Sequence, residues 1–173
     1  MTQQTLESNQ LPNTEGTSFP VSPTTGDRYY RTDRNLEYYY DGTRWLTTTL
    51  YKDTFEISTP QGLATTGLCW TGVWTGDYDQ YLVDLYASTF VATTNTGANY
   101  WSIDLVSKNA GASSASLGAF NTSADSPNIW TVKQVAVNAL LGTTEDALQI
   151  TNTKVSSPGT LYASFGITYR LVG

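Results

Sequence analysis

The residues best placed to do chemistry are two carboxylates, Asp77 and Asp79, in Gly76-Asp77-Tyr78-Asp79-Gln80. Residues two apart share a face of an extended strand, so both acids would point the same way. A glycoside hydrolase needs two carboxyls roughly 5–10 Å apart with one pKa raised. A calcium site needs about six to eight oxygens, which this pair could only begin to supply. An acidic surface turn beside a tyrosine accounts for the same residues without either activity. The other adjacent acids, Glu145 and Asp146, read as an ordinary loop or helix-start pair. The chain has no histidine. That removes Ser-His-Asp and Cys-His triads, most catalytic zinc sites, and the commonest general base near neutral pH. Cys69 is the single cysteine, so neither an intrachain disulfide nor a cysteine-rich metal site is available. Its setting, Leu68-Cys69-Trp70, suits a small buried hydrophobe. Glycine-rich nucleotide loops are missing too. These features predict a chain that is not an enzyme and carries no cofactor.

Binding chemistry is better represented. Trp70, Trp74, Tyr78, Tyr81, Tyr86, Tyr100 and Trp101 are dense for so short a span. Rings beside Asp and Asn can stack on sugar rings and hydrogen-bond their hydroxyls, which makes Trp70, Trp74, Tyr78, Tyr81 and Trp101 candidate surface-binding aromatics. The same rings serve equally well in a core or a subunit interface. Four of the five arginines, Arg28, Arg31, Arg34 and Arg44, fall in one short stretch, which fits contact with an acidic partner or simply a solvated hairpin face. The net charge is −6, so nucleic acid is not an expected partner.

The elements that would position these residues are strands. Only 14% of residues are charged, 39% are apolar and 13% aromatic, and the balance is rich in Thr, Ser, Asn and Gly. Such residues suit a pleated, half-wet surface, whereas strong helix formers are scarce. Residues 1–20 are polar, contain two prolines and show neither period, which predicts an extended docking arm. Residues 21–52 read as a small β-meander with strands at Arg28–Thr32, Leu36–Tyr40 and Arg44–Tyr51. Asp41-Gly42 supplies its hairpin signal. Residues 53–173 read as the globular part. Trp101, Ile103 and Leu105 share one face, as do Leu161, Ala163, Phe165, Ile167, Tyr169 and Leu171 over a long strand. Strands are also expected at Tyr81–Val91, Trp130–Val137 and Ala147–Val155. Connectors fall at 94–97, 109–118, 121–128 and 156–159, and 135–146 is open to one helical turn. The fold class is therefore all-β: an antiparallel β-sandwich or jelly-roll-like head behind a meander and an arm. Nothing reads as a signal peptide or a membrane span.

One stretch is similar to a known module. Gly26-Asp27-Arg28-Tyr29-Tyr30-Arg31-Thr32-Asp33, followed by Tyr39-Tyr40-Asp41-Gly42-Thr43-Arg44-Trp45, resembles the pattern Gly-Asp-x-Tyr-Tyr-x-Thr-Asp…Tyr-Tyr-Asp-Gly-Thr-x-Trp of phage tail fibre and tail-associated proteins. There it forms a small β element between an attachment segment and a receptor-binding head. The resemblance implies a virion location after synthesis in a bacterial cytoplasm, and a short homotrimeric fibre. Its partners would be copies of itself, baseplate or tail proteins, and a host glycan or other envelope component. Phe19, Tyr29, Tyr30, Arg31, Tyr38, Tyr40, Arg44 and Trp45 become candidate docking residues, because Tyr29, Tyr38, Tyr40 and Trp45 offer more aromatic surface than three short strands can hide. Two rivals stay open. One is a capsid decoration protein strapped to the major capsid protein by its N-terminal arm. The other is a polysaccharide depolymerase using Asp77 and Asp79.

Overall fold

A computed structural model describes residues 15–56, 64–72, 78–92, 96–109, 115–141 and 145–173. The chain divides into two compact units, residues 1–48 with Gly173, and residues 49–172. The division falls four residues ahead of the expected start of the globular part.

The first unit is a four-stranded sheet in chain order: β1 (Glu15–Gly16), β2 (Arg28–Arg31), β3 (Leu36–Tyr40) and β4 (Trp45–Thr47). β2, β3 and β4 pair antiparallel, as a meander does, and β1 adds to β2 in parallel. Of the arm expected over residues 1–20, Glu15–Gly16 join the sheet as β1, and residues 1–14 lie outside the described residues. The third expected strand, Arg44–Tyr51, is two strands: β4 ends at Thr47, and Tyr51 opens the next unit.

The second unit is a sandwich of two four-stranded antiparallel sheets. One has the order β10-β7-β12-β5 and the other β6-β11-β8-β9. The strands are β5 (Tyr51–Glu56), β6 (Gly67–Gly72), β7 (Gln80–Val91), β8 (Tyr100–Asn109), β9 (Ala115–Asn121), β10 (Thr131–Leu141), β11 (Glu145–Val155) and β12 (Leu161–Leu171). From β5 to β12 the chain changes sheet at every connection except the β8–β9 hairpin. This winding is a jelly roll, which leaves all strands antiparallel and closes a core between the sheets.

Period-two alternation fills that core. Leu85, Trp101, Ile103, Leu105, Ile150, Leu161 and Ile167 are fully buried in one cluster drawn from both sheets. In β7 the alternation slips once, at Val83-Asp84. The registers of both neighbours shift there: Thr168 faces Asp84 but Tyr169 faces Leu82, and Ala136 faces Asp84 but Ala139 faces Leu82. Val83 is the surplus residue of a bulge, and the bulge keeps Leu82 and Leu85 on the same dry side. On β10 the compensating residue is Asn138, at φ 50, a left-handed conformation that Asn tolerates. The segment 135–146, open to a helical turn by sequence, is therefore strand through Leu141, and it is strand again from Glu145, where β11 takes the place of the loop or helix start expected of Glu145-Asp146.

Two expected connectors need correction. Ala115–Asn121 is a strand, not part of a loop, although small residues and Gly118 hide its period. Gly118 lies beside Val135 and Val137 of β10, where a Cβ would sit in ordinary contact at 3.4 and 3.5 Å. The sandwich is also pinned by polar contacts. Trp101 donates its indole N–H to the Gly159 carbonyl at 2.8 Å, and its backbone exchanges bonds with buried Thr122. Asp125 accepts from the Thr89 hydroxyl at 3.2 Å and pairs with the Lys133 ammonium.

Trp101→Ala should lower the unfolding free energy by about 3–5 kcal/mol, the usual cost of truncating a buried Trp. Urea denaturation followed by far-UV circular dichroism measures it, and an unchanged midpoint would contradict the central place of this ring.

Candidate functional site

The outer face of the β10-β7-β12-β5 sheet holds the candidate site. Its side chains follow from the registers. One rung runs Val132, Ser88 and Ser164 across β10, β7 and β12, and the next runs Gln134, Tyr86, Gly166 and Thr54 across all four strands. Gly166 is the gap in this second rung. With no side chain between Tyr86 and Thr54, the face sinks into a trough of about 370 Å³, with Lys52, Ser88, Val132 and Ser164 also on its walls. A Cβ at Gly166 would meet Lys52 Cε at 3.2 Å and Thr54 Cγ2 at 3.5 Å.

Tyr86 dominates the floor. Its hydroxyl donates to Asp84 Oδ2 at 3.3 Å and accepts from Gln134 Nε2 at 3.1 Å, while Lys52 Nζ lies 5.4 Å from the ring centroid. Desolvation, followed by the Asp84 charge and hydrogen bond, raises the phenol above its ordinary value of 10.0, against a smaller lowering by Gln134. One rung beyond Ser88 lies an aromatic cluster. Phe90 faces Tyr162 in register with their rings 5.9 Å apart, and Trp130 approaches Phe90 at 5.4 Å. Trp130, just ahead of β10, is 58% exposed, and Val132, on that edge strand, is 77% exposed, so both leave apolar surface in water. Hydroxyls, one amide, one ammonium and several ring faces can hold an uncharged polar ligand by stacking and hydrogen bonds.

The docking residues expected in the first unit are placed otherwise. Tyr29, Tyr38 and Trp45 are buried in a small core of their own. Phe19 covers it, stacked on Trp45 at 5.0 Å and edge-on to Tyr38 at 5.1 Å. The aromatic surplus, expected to be covered by neighbouring subunits or by the sandwich, is covered by Phe19 within the unit. The sequence estimate failed because it counted three strands and left Phe19 in the arm. Gly173 completes the lid, donating its amide to the Trp45 carbonyl at 2.9 Å, where a Cβ would collide with the Phe19 ring.

The motif residues are engaged in the same fold. Gly26 and Gly42 take φ 96 and φ 102, which glycine adopts without strain. Asp27 closes its turn by accepting from the Thr24 amide at 2.8 Å, and Asp41 accepts from the amides of Thr43 and Arg44 at 2.7 and 2.8 Å. Arg31 grips Asp33 with two bonds of 2.8 and 2.7 Å and lies 4.8 Å from the Phe19 centroid. That bidentate bond holds the Asp33 carboxyl below its usual range and the guanidinium above its own. The Tyr30 hydroxyl bonds Asn35, Tyr40 packs on Trp45 at 5.4 Å, and Arg44 pairs with Asp41. Turn, pin and core account for these residues.

The aromatic set from Trp70 to Trp101 does not converge on one described surface. Trp101 is core, so its ring offers no free face. Tyr78, Tyr81 and Asp79 are half-buried, and Trp74 and Asp77 lie outside the described residues, as does the Trp70 side chain. The trough residues Ser88, Ser164 and Gly166 and the adjoining Phe90, Trp130 and Tyr162 were not singled out by sequence. The alternation of β7 could have placed Tyr86, Ser88 and Phe90 on one wet face, but their partners belong to strands distant in sequence.

No protein-family model matches the chain, and none of the curated proteins does. Solved structures similar to it include the SPBc2 prophage-derived protein YomS, at 11% identity over 70% of this chain and 96% of that one, TM-score 0.40. The Tobacco streak virus coat protein aligns at 9% identity over 73% of this chain and 88% of that one, TM-score 0.38. The infectious bursal disease virus VP2 subviral particle aligns at 13% identity over 90% of this chain and 41% of that one, TM-score 0.39.

Phe19→Ala should loosen the small aromatic core. Full burial would make the loss about 3–5 kcal/mol, and half burial brings it to about 2. NMR resonances of Tyr29, Tyr38 and Trp45 should broaden or move while those of Trp101 stay, and unmoved resonances would contradict the lid. The Tyr86 phenol should titrate above 10.0 by NMR of labelled tyrosine, and Asp84→Asn should bring it down toward that value. Because the folded-state value is raised, the Tyr86 contribution to stability is complete below about pH 10 and is lost as pH climbs from there through the raised folded-state value.

Proposed function

We propose that this chain is a non-catalytic component of a bacteriophage particle, a short homotrimeric tail fibre that attaches the virion to a host surface. The observation that carries the reading is the pairing of two parts in one chain: a Gly26–Asp33 and Asp41–Trp45 motif folded as a self-contained β unit, and an eight-stranded jelly roll. Jelly rolls serve viral shells and lectin domains alike, a fold-level analogy that agrees with a surface-presenting role. The motif resembles a module that lies between attachment segment and head in tail-associated proteins. In this reading residues 1–14 dock to the particle, the motif unit forms the neck, and the sandwich offers its outer sheet face. Val21, Leu50, Leu68 and Leu140 are large apolar side chains left in water, and subunit or virion contacts would cover them.

Gold-labelled antibody against this chain should decorate the tail tip of virions, and light scattering on the purified chain should give three times the chain mass. Label on the capsid would make it a decoration protein instead, and label on neither would overturn the virion role. A monomer at micromolar concentration would overturn the trimer.

A further inference from the structure

The lining of the trough on the β10-β7-β12-β5 sheet defines a ligand more closely than attachment alone requires. We propose that it binds a short, uncharged oligosaccharide, with Tyr86 and the Phe90–Trp130–Tyr162 cluster as stacking platforms and Ser88, Ser164 and Thr54 as hydroxyl partners. The inference rests on the reading of this chain as an attachment protein and names what its sheet face would hold.

Three observations carry it. The first is chemical pairing. A sugar ring presents an apolar C–H face and a rim of hydroxyls that both donate and accept. The trough and the aromatic cluster one rung beyond it offer the complement: the Tyr86 ring and the hydroxyls of Ser88, Ser164 and Thr54 line the trough, and Phe90, Trp130 and Tyr162 adjoin it. The second is charge. Among the described residues Lys52 is the one cation on the trough wall, and it lies over the Tyr86 ring. One ammonium on a chain of net charge −6 is poorly suited to a polyphosphate or a polyanionic glycan. The third is length. Phe90 and Tyr86 are four residues apart on one strand face, about 13 Å at the usual strand rise. That span, with Ser88 and Ser164 between the two platforms, fits a few linked rings rather than one.

Preorganisation supports the same ligand. The Tyr86 hydroxyl is held from both sides, by Asp84 and Gln134, so its ring enters binding already oriented. Gly166 keeps the floor open beside it, and a larger residue would lift that floor toward the ligand. No covalent step is involved.

The test uses the full-length chain, labelled with ¹⁵N and titrated with maltotriose, chitotriose and mannotriose, with sialyllactose and inorganic phosphate as charged comparisons. At least one neutral trisaccharide should shift the amides of Ser88 and Gly166 and the Trp130 indole at millimolar concentration, with smaller effects from sialyllactose and phosphate. Tyr86→Ala should weaken that binding at least tenfold. Trp130→Ala, which removes an exposed ring and leaves the core intact, should weaken it severalfold and keeps the test decisive if the first variant fails to fold. If no neutral trisaccharide moves these signals, or if only the charged probes do, the inference falls. It falls also if a neutral trisaccharide binds equally well to both folded variants. The two readings separate cleanly: tail label without sugar shifts removes the saccharide site alone, and sugar shifts without virion label remove the attachment role alone.

Discussion

Burial of one face of each sheet against the other is the constraint on which the sandwich depends. Leu85, Ile103, Leu105, Ile150 and Ile167 are fully removed from water, and they come from strands scattered across the chain. Because strand side chains alternate, every inward residue commits its neighbours to the outside. A slip of one residue would exchange the two faces along a whole strand. The bulge at Val83 shows how tightly this holds: β7 takes in a surplus residue, and both neighbours shift register, so that the dry side stays continuous.

The outer face inherits its composition from that commitment. Tyr86, Ser88 and Phe90 alternate with Leu85, Ala87, Thr89 and Val91, and so lie on the wet side of β7. Antiparallel pairing then brings Tyr162, Ser164 and Gly166 alongside from β12, and Val132 and Gln134 from β10. The trough exists because one rung of this lattice has a glycine where its neighbours carry side chains. Site and core are two sides of the same registers.

The first unit solves a different problem. Its sheet is too small to bury a face against a second sheet, and it closes instead with a single ring, Phe19, laid over Trp45 and Tyr38. The residues that carry the resemblance to tail-associated proteins act here as turn glycines, turn-closing aspartates and core aromatics.

The sequence alone determined the all-β class, the meander, and the dry faces of β8 and β12, since these depend on local alternation and on turn residues such as Asp41-Gly42. Leu36–Tyr40 and Leu161–Leu171 were legible to their end residues. β9 was not, because Gly118 and small side chains erase the contrast between faces, and the end of β10 was not, because Ala136 and Leu140 put apolar residues on its wet face as well. Only the tertiary structure decided that Trp101 is core while Trp130 is surface, since both sit in similar aromatic, β-rich settings. It alone assembled the trough as well, because cross-strand neighbours such as Tyr86 and Gly166 are 80 positions apart in sequence and meet through jelly-roll winding.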